Sequence, residues 1–319
     1  MMRNESPIRK QEEQDDAFMA DVLHGLRQKR RMIPPKHFYD DRGSHLFDLI
    51  CATPEYYPTR TETGILEQSG AEMADRIGSS CMLIELGSGS AAKTPLLLRH
   101  LADDSVYVPI DICESYLMES TQRLAAMFPA IRMRPLCADY MQLPYLEPED
   151  GLRRVIFFPG STIGNCMPEE AVELLRHAAS ISGKDGTMLI GVDAKKSPEI
   201  LNLAYNDAAG HTAAFNLNLL ARMRRELGAE FDPDGFFHHA YYNALKGRIE
   251  MHLVSLRKQA IRLNGERFHF EEGESIHTEN SYKYSVSEFR QLARQAGWLS
   301  KMVWSDREGW FNVHYLSRM

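Results

Sequence analysis

Apolar positions Phe18, Val22, Leu23 and Leu26 recur at helical spacing from Asp16 onward. The basic run Arg27, Lys29, Arg30 and Arg31 suits the carboxyl end of that helix, and Pro34-Pro35 stops it. Phe38 to Glu62 is dense in aromatics and turn formers, a composition suited to a lid or pocket wall. From Cys81 the pattern changes. Short apolar runs at Cys81–Leu86, Val106–Ile110, Arg132–Leu136, Val155–Phe158 and Thr187–Val192 predict strands. Helical segments predicted at Ala91–Leu101, Glu114–Phe128 and Pro168–Ile181 alternate with them, the last opening on Pro168-Glu169-Glu170. Such alternation calls for a doubly wound parallel sheet that binds ligands at the carboxyl ends of its strands.

The alternation then breaks. Pro198–Leu227 reads as helical, and Phe236–Tyr242, Arg248–Lys258 and Arg267–Glu274 alternate apolar and polar residues as antiparallel strands do. A helix over Val286–Ala296 and β runs at Lys301–Ser305 and Phe311–Leu316 would return to complete the first sheet. The expected organisation is therefore an α/β domain of residues 62–196 plus 283–319. A second α+β domain of residues 13–61 plus 197–282 would bind substrate, and residues 1–12 would form a disordered tail.

The 319 residues are 44% hydrophobic and 25% charged, an ordinary globular balance. The net charge of −7 argues against nucleic acid or an anionic membrane as the main partner. Cys51, Cys81, Cys113, Cys137 and Cys166 are scattered, with no Cys-x-x-Cys spacing, and read as reduced thiols. The polar amino terminus shows no signal-peptide core, and no stretch approaches the roughly 18 apolar residues of a membrane span. A soluble, cytoplasmic, monomeric protein is expected.

Glu85-Leu86-Gly87-Ser88-Gly89-Ser90 lies between a predicted strand and helix, where glycines let the backbone turn tightly against a ligand. Gly87-x-Gly89-x-x-Ala92 also satisfies a dinucleotide pattern, and Asp111, 22 residues after Gly89, could accept from a ribose in either case. Two acids favour S-adenosyl-L-methionine over NAD. Glu85 precedes the loop, where it can approach a cationic methionine moiety, and Asp139 follows the third strand, where it can accept from an adenine amino group. That ligand has no pyrophosphate and needs no basic clamp.

Five blocks in order then bring in a family: 38–47 (Phe-Tyr-Asp-Asp-Arg-Gly-Ser-His-Leu-Phe), 54–62 (Pro-Glu-Tyr-Tyr-Pro-Thr-Arg-Thr-Glu), 85–94 (Glu-Leu-Gly-Ser-Gly-Ser-Ala-Ala-Lys-Thr), 158–165 (Phe-Pro-Gly-Ser-Thr-Ile-Gly-Asn) and 277–284 (His-Thr-Glu-Asn-Ser-Tyr-Lys-Tyr). With these, the chain resembles the histidine-specific N-α-methyltransferases of ergothioneine biosynthesis from about Phe38 to its end. The resemblance implies a class I, Rossmann-like methyltransferase fold that uses S-adenosyl-L-methionine and no metal. It implies that Asn165 and Tyr205, both neutral donors, hold the carboxylate of L-histidine, while Glu279 and Ser281 grip the imidazole. Spaced by two, Glu279 and Ser281 would share one face of a strand. Tyr39, Phe47, Tyr56, Gly160 and Met251 match the rest of the substrate wall, an aromatic lining suited to a quaternary ammonium product. Tyr56, Glu85, Gly87, Lys93, Asp111 and Asp139 are the expected cofactor contacts.

The implied reaction is in-line attack of a neutral α-amine on the donor methyl, three times, giving N,N,N-trimethyl-L-histidine (hercynine). Catalysis would rest on positioning, with Tyr39 and Asn165 nearest the reacting amine and either Tyr39 or water taking its proton. Other readings are a related methyltransferase acting on another aromatic amino-acid derivative, an NAD-dependent oxidoreductase, and a binding module with a vestigial pocket. His238 and His239, adjacent on a predicted strand, would point to opposite faces, and His252 and His269 read as structural histidines.

Overall fold

The computed structural model describes residues 7–78, 80–143, 146–147, 149 and 151–319. Thirteen strands are found among them: β1 (Cys81–Leu86), β2 (Val106–Asp111), β3 (Arg132–Met133), β4 (Leu136–Cys137), β5 (Arg153–Phe158), β6 (Thr187–Asp193), β7 (Phe236–Asn243), β8 (Arg248–Ser255), β9 (Gln259–Leu263), β10 (Glu266–Phe270), β11 (Ser275–Tyr282), β12 (Trp298–Ser305) and β13 (Phe311–Arg318). The main sheet runs β12-β13-β6-β5-β1-β2-β3, with β4 also pairing β2. Pairing is parallel from β6 through β5, β1 and β2 to β3, while β13 runs antiparallel to both β6 and β12. This is the doubly wound class expected, with the closing hairpin returning to it.

Alternation along the strands builds two cores. Met82, Ile84 and Leu86 of β1 pack with Val108, Ile156, Phe158 and Ile190 beneath the helices Pro168–Ser182 and Val286–Gln295. Cys81 and Leu83 face the opposite way, with Tyr107, Phe157, Leu189 and Val313 under the helix Tyr57–Ile77. At about 25 cal/mol per Å² of buried apolar surface, these faces drive the sheet's assembly. A third core joins segments far apart in sequence: Phe18, Val22, Leu26 and Phe38 pack with Phe215, Leu219, Met223, Met251 and Phe270. The antiparallel sheet β11-β8-β7 frames this core, and Arg31–Ile33 pairs with the free edge of β11.

Local chemistry moved several expected boundaries. The helix expected at Ala91–Leu101 shrinks to Pro95–Leu98, because Gly89 and Ala91 adopt left-handed backbone and proline favours a first-turn position. The third strand splits into β3 and β4 on either side of Pro135, which cannot join a ladder as a donor. Pro198–Leu227 breaks into the helices Pro198–Ala204 and His211–Leu227, the second started by Asp207 accepting from the His211 and Thr212 N–H groups. The strand expected at Arg248–Lys258 ends at Ser255. Arg267–Glu274 is strand only to Phe270, and a turn through Gly273 leads into β11. The amino-terminal helix runs over Pro7–Arg27, which corrects the expected tail from Pro7 onward; residues 1–6 lie outside the described residues. Among the described residues no helix is long and apolar enough to cross a membrane.

Candidate active site

A cavity of about 650 Å³ opens at the carboxyl ends of β1, β2, β4 and β5 and is roofed by the segment Met32–Thr59 and by β11. Its floor is the glycine loop. Gly87 and Gly89 take φ of +66° and +50°, which side-chain-bearing residues rarely adopt. Gly87 and Ser88 donate to the Ile110 carbonyl, and Asp111 accepts from the Gly89 N–H at 2.8 Å and the Cys113 N–H at 3.0 Å. Asp111 therefore braces the loop, and burial raises its pKa. Glu85 is buried and accepts from Thr94 Oγ1 at 2.7 Å and the Tyr107 hydroxyl at 2.5 Å; burial pushes its carboxyl up to about 7. Asp139 caps the short turn after β4 through the Met141 N–H and lies 3.8 Å from Lys36 of the roof.

Lys93 is ion-paired with Glu62, a buried acid that also accepts the Gly160 N–H at 2.8 Å. A Cβ at Gly191 would sit 2.1 Å from Glu62 Oε1, so that glycine makes room for the carboxylate. One acid thus ties the glycine loop to the loop after β5. The sequence alone assigns Glu62 no role; in the helix Tyr57–Ile77 it is an acid among buried apolar positions.

Tyr39, Phe47, Tyr56 and Tyr205 form an aromatic chain with centroids 5.9–6.1 Å apart in edge contacts. The Tyr39 and Tyr56 hydroxyls find no hydrogen-bond partner among the described residues, and burial keeps both phenols protonated well above their usual range. Asn165 ends the short helix Thr162–Asn165, and its side chain is likewise uncommitted among the described residues. That helix lies hard against β11: a Cβ on Gly164 would meet the Tyr282 carbonyl oxygen at 2.8 Å.

Glu279 faces this cavity from β11, across the ladder from Met251. A bulge at Thr278 precedes the regular stretch Glu279–Tyr282, and within it Glu279 and Ser281 share a face, as their spacing predicted. Burial pushes the Glu279 carboxyl up to about 7, partly offset by the Lys283 ammonium, and no described residue hydrogen-bonds to it. Tyr39, Phe47, Tyr56, Gly160, Asn165 and Glu279 therefore line one cavity with Glu85, Gly87, Lys93, Asp111 and Asp139. Tyr205, Met251 and Ser281 do not line it; they stand one layer behind. There the Tyr205 hydroxyl donates to Ser281 Oγ at 2.7 Å, and Lys283 Nζ lies 2.7 Å from Ser281 Oγ and 2.6 Å from Asp193 Oδ2. Burial opposes the charge on Lys283, but Asp193 outweighs it and keeps the ammonium protonated. Asp193 also takes Lys196 and the Tyr57 hydroxyl.

His238 and His239 do face opposite ways, His238 toward Asn216 and the Tyr205 carbonyl, His239 toward Tyr241. Glu250, His252 and His277 bring ligand-type atoms within 4.8 Å of one another on the outer face of β11-β8-β7. Burial opposes the Glu250 charge, but Arg248 and Tyr241 outweigh it and hold the carboxyl far below its usual range. The acid's charge is thus matched inside the cluster.

The family described as histidine-specific, S-adenosyl-L-methionine-dependent methyltransferases matches residues 18–318. A histidine N-α-methyltransferase of Mycolicibacterium smegmatis is 38% identical over 303 residues, spanning 93% of this chain and 94% of that protein. One from Mycobacterium tuberculosis is 36% identical over 302 residues with the same coverage. More distantly, a 4-dimethylallyltryptophan N-methyltransferase of Aspergillus fumigatus is 27% identical over 301 residues, 89% of this chain and 88% of that protein. With a family model matched over residues 18–318 and relatives more than a third identical along nearly their whole length, the chain belongs to the SAM-dependent histidine-specific methyltransferase family.

Proposed function

We propose that the protein methylates the α-amine of L-histidine three times, giving N,N,N-trimethyl-L-histidine, a step toward ergothioneine. The observation that carries this reading is Glu279, a half-buried carboxylate with no hydrogen-bond partner among the described residues, which faces an aromatic-walled cavity shared with the glycine loop. Leaving such a group unpaired costs about 1–3 kcal/mol or more, which a ligand N–H would recover. An imidazole supplies that N–H together with a ring acceptor; an indole has a donor alone.

The donor set fits S-adenosyl-L-methionine. Gly87 and its neighbours leave backbone space, Asp111 and Asp139 retain acceptor capacity at successive strand ends, and Glu85 adds negative charge beside a sulfonium. When bound, that molecule supplies an electrophilic methyl group. The protein's work is to hold the amine in line with it, which is worth about 7–11 kcal/mol at best. Asn165 holds the substrate carboxylate, and Tyr205 backs that end of the site from the layer behind with its hydroxyl on Ser281. Since Tyr205 and Ser281 hydroxyls lie 2.7 Å apart, the ring nitrogen that meets Ser281 is the one nearer the amino-acid backbone, Nδ1, and Glu279 takes Nε2–H. Tyr39, protonated at neutral pH, serves as a hydrogen-bonding wall to the amine rather than as its base. Fixing carboxylate and ring while the amine rotates permits repeated transfer.

The division into a methyl-donor domain (62–196 with 283–319) and a substrate domain (13–61 with 197–282) belongs to the same proposal. The third core, joining residues 18–57 to residues 201–276, supports it. The test is mass spectrometry of L-histidine incubated with the protein and S-adenosyl-L-methionine. Species carrying one, two and three methyl groups are expected; their absence, with methylated tryptophan derivatives instead, would replace this substrate.

A further inference from the structure

The Lys283 ammonium has three N–H donors, and all three are placed: Asp193 Oδ2 at 2.6 Å, Ser281 Oγ at 2.7 Å and the Tyr205 phenolic oxygen at 3.2 Å. Its side chain is 1% exposed and held over the Tyr205 ring at 5.1 Å. Lysine only donates, whereas serine and tyrosine hydroxyls can donate or accept. The consequence is directional. The Tyr205 oxygen accepts from Lys283, so its hydrogen is committed outward and here goes to Ser281. Ser281 Oγ then accepts twice, from Lys283 and Tyr205, which fills both its lone pairs. Its own hydrogen meets no acceptor among the described residues.

We infer that Lys283 is a positioning residue that sets the polarity of both hydroxyls, fixing Tyr205 as the donor to Ser281 and leaving Ser281 an obligate donor to the substrate. The inference rests on histidine being the substrate. Under it the ring nitrogen at Ser281 must be an unprotonated acceptor while the other, at Glu279, must carry hydrogen. The site therefore admits one tautomer of neutral imidazole and rejects imidazolium. Asp193 balances the buried cation on the far side, and Lys196 and Tyr57 hold Asp193 in turn. Because Asp193 keeps Lys196 when Lys283 is replaced, Lys283→Met removes a donor without stranding an acid.

The test compares kcat/KM for L-histidine with that for its pyrrole analogue, in which a C–H replaces the acceptor nitrogen. A hydroxyl forced to donate finds nothing on that analogue, so the wild-type protein should prefer histidine by about 100-fold or more. In Lys283→Met the Ser281 hydrogen can turn to Tyr205, and the preference should fall by at least about tenfold. Lys283→Arg, still a pure donor, should keep the ratio even where turnover drops. A purely architectural lysine would slow both substrates alike and leave the ratio of Lys283→Met unchanged, which overturns the inference. Should Lys283→Met not fold, Lys283→Gln carries the same test, because its amide oxygen can accept from Ser281. A wild-type protein that methylates neither compound would instead defeat the substrate assignment.

Discussion

Replacing Glu279 by glutamine should make the ligand-free protein more stable and the substrate complex weaker. Burial raises this carboxyl from its ordinary value of 4.5 to about 7. Between those pH values the unfolded chain releases a proton that the folded chain retains, so stability falls as pH rises through the window. Once pH exceeds the folded value, the full cost of ionising this acid is present. Two and a half pKa units correspond to about 3 kcal/mol at 1.36 kcal/mol each, and cavity water reduces this to about 2 kcal/mol. Glu279→Gln removes the ionisation. Thermal melts should therefore coincide for variant and parent near pH 4.5 and separate by about 3 °C at pH 8, the variant higher. Calorimetry should show histidine binding weakened about tenfold or more, since a charge-assisted bond becomes a neutral one, with S-adenosylhomocysteine affinity unchanged. Equal melts at pH 8 together with unchanged histidine affinity would refute the account of Glu279 as an acid held in reserve for the ligand.

Gly191→Ala should push Glu62 away from Lys93 and Gly160, since the new methyl falls 2.1 Å from Glu62 Oε1; a loss of about 1–3 kcal/mol in stability and weaker S-adenosylhomocysteine binding are expected in melts and calorimetry. Gly164→Ala places a methyl 2.8 Å from the rigid Tyr282 carbonyl and shifts Asn165. Initial-rate kinetics should give a KM for histidine at least about tenfold higher, while affinity for S-adenosylhomocysteine stays within about threefold. Asp111→Asn offers an amide N–H to one of the backbone donors at Gly89 or Cys113, leaving that pair unmatched. Calorimetry should register a loss in S-adenosylhomocysteine affinity of about ten- to a hundredfold, and an unchanged value would show that the brace is dispensable.

Much of the architecture was legible because it follows from local rules. Apolar runs closed by Gly87 and by Pro159-Gly160, with helices between, specify a parallel sheet whatever surrounds them, and acids at successive strand ends mark its ligand edge. Spacing by two placed Glu279 and Ser281 on one face before any fold was known. Other features depend on partners distant in sequence. The length of the helix after Lys93 was set by left-handed backbone at Gly89 and Ala91, which apolar periodicity does not record. Glu62 acquired meaning only when Lys93, Gly160 and Gly191 converged on it from three other segments. Lys283 looked like one polar residue between two tyrosines; only packing showed it buried, triply bonded and aimed at two hydroxyls of the site. Composition and periodicity act over a few residues, so the sequence alone determined elements, their order and the chemistry available. Which hydroxyl donates, which acid stays unpaired and which residue stands one layer back depend on distances between segments 31 to 98 residues apart, and those were decided by the packed tertiary structure.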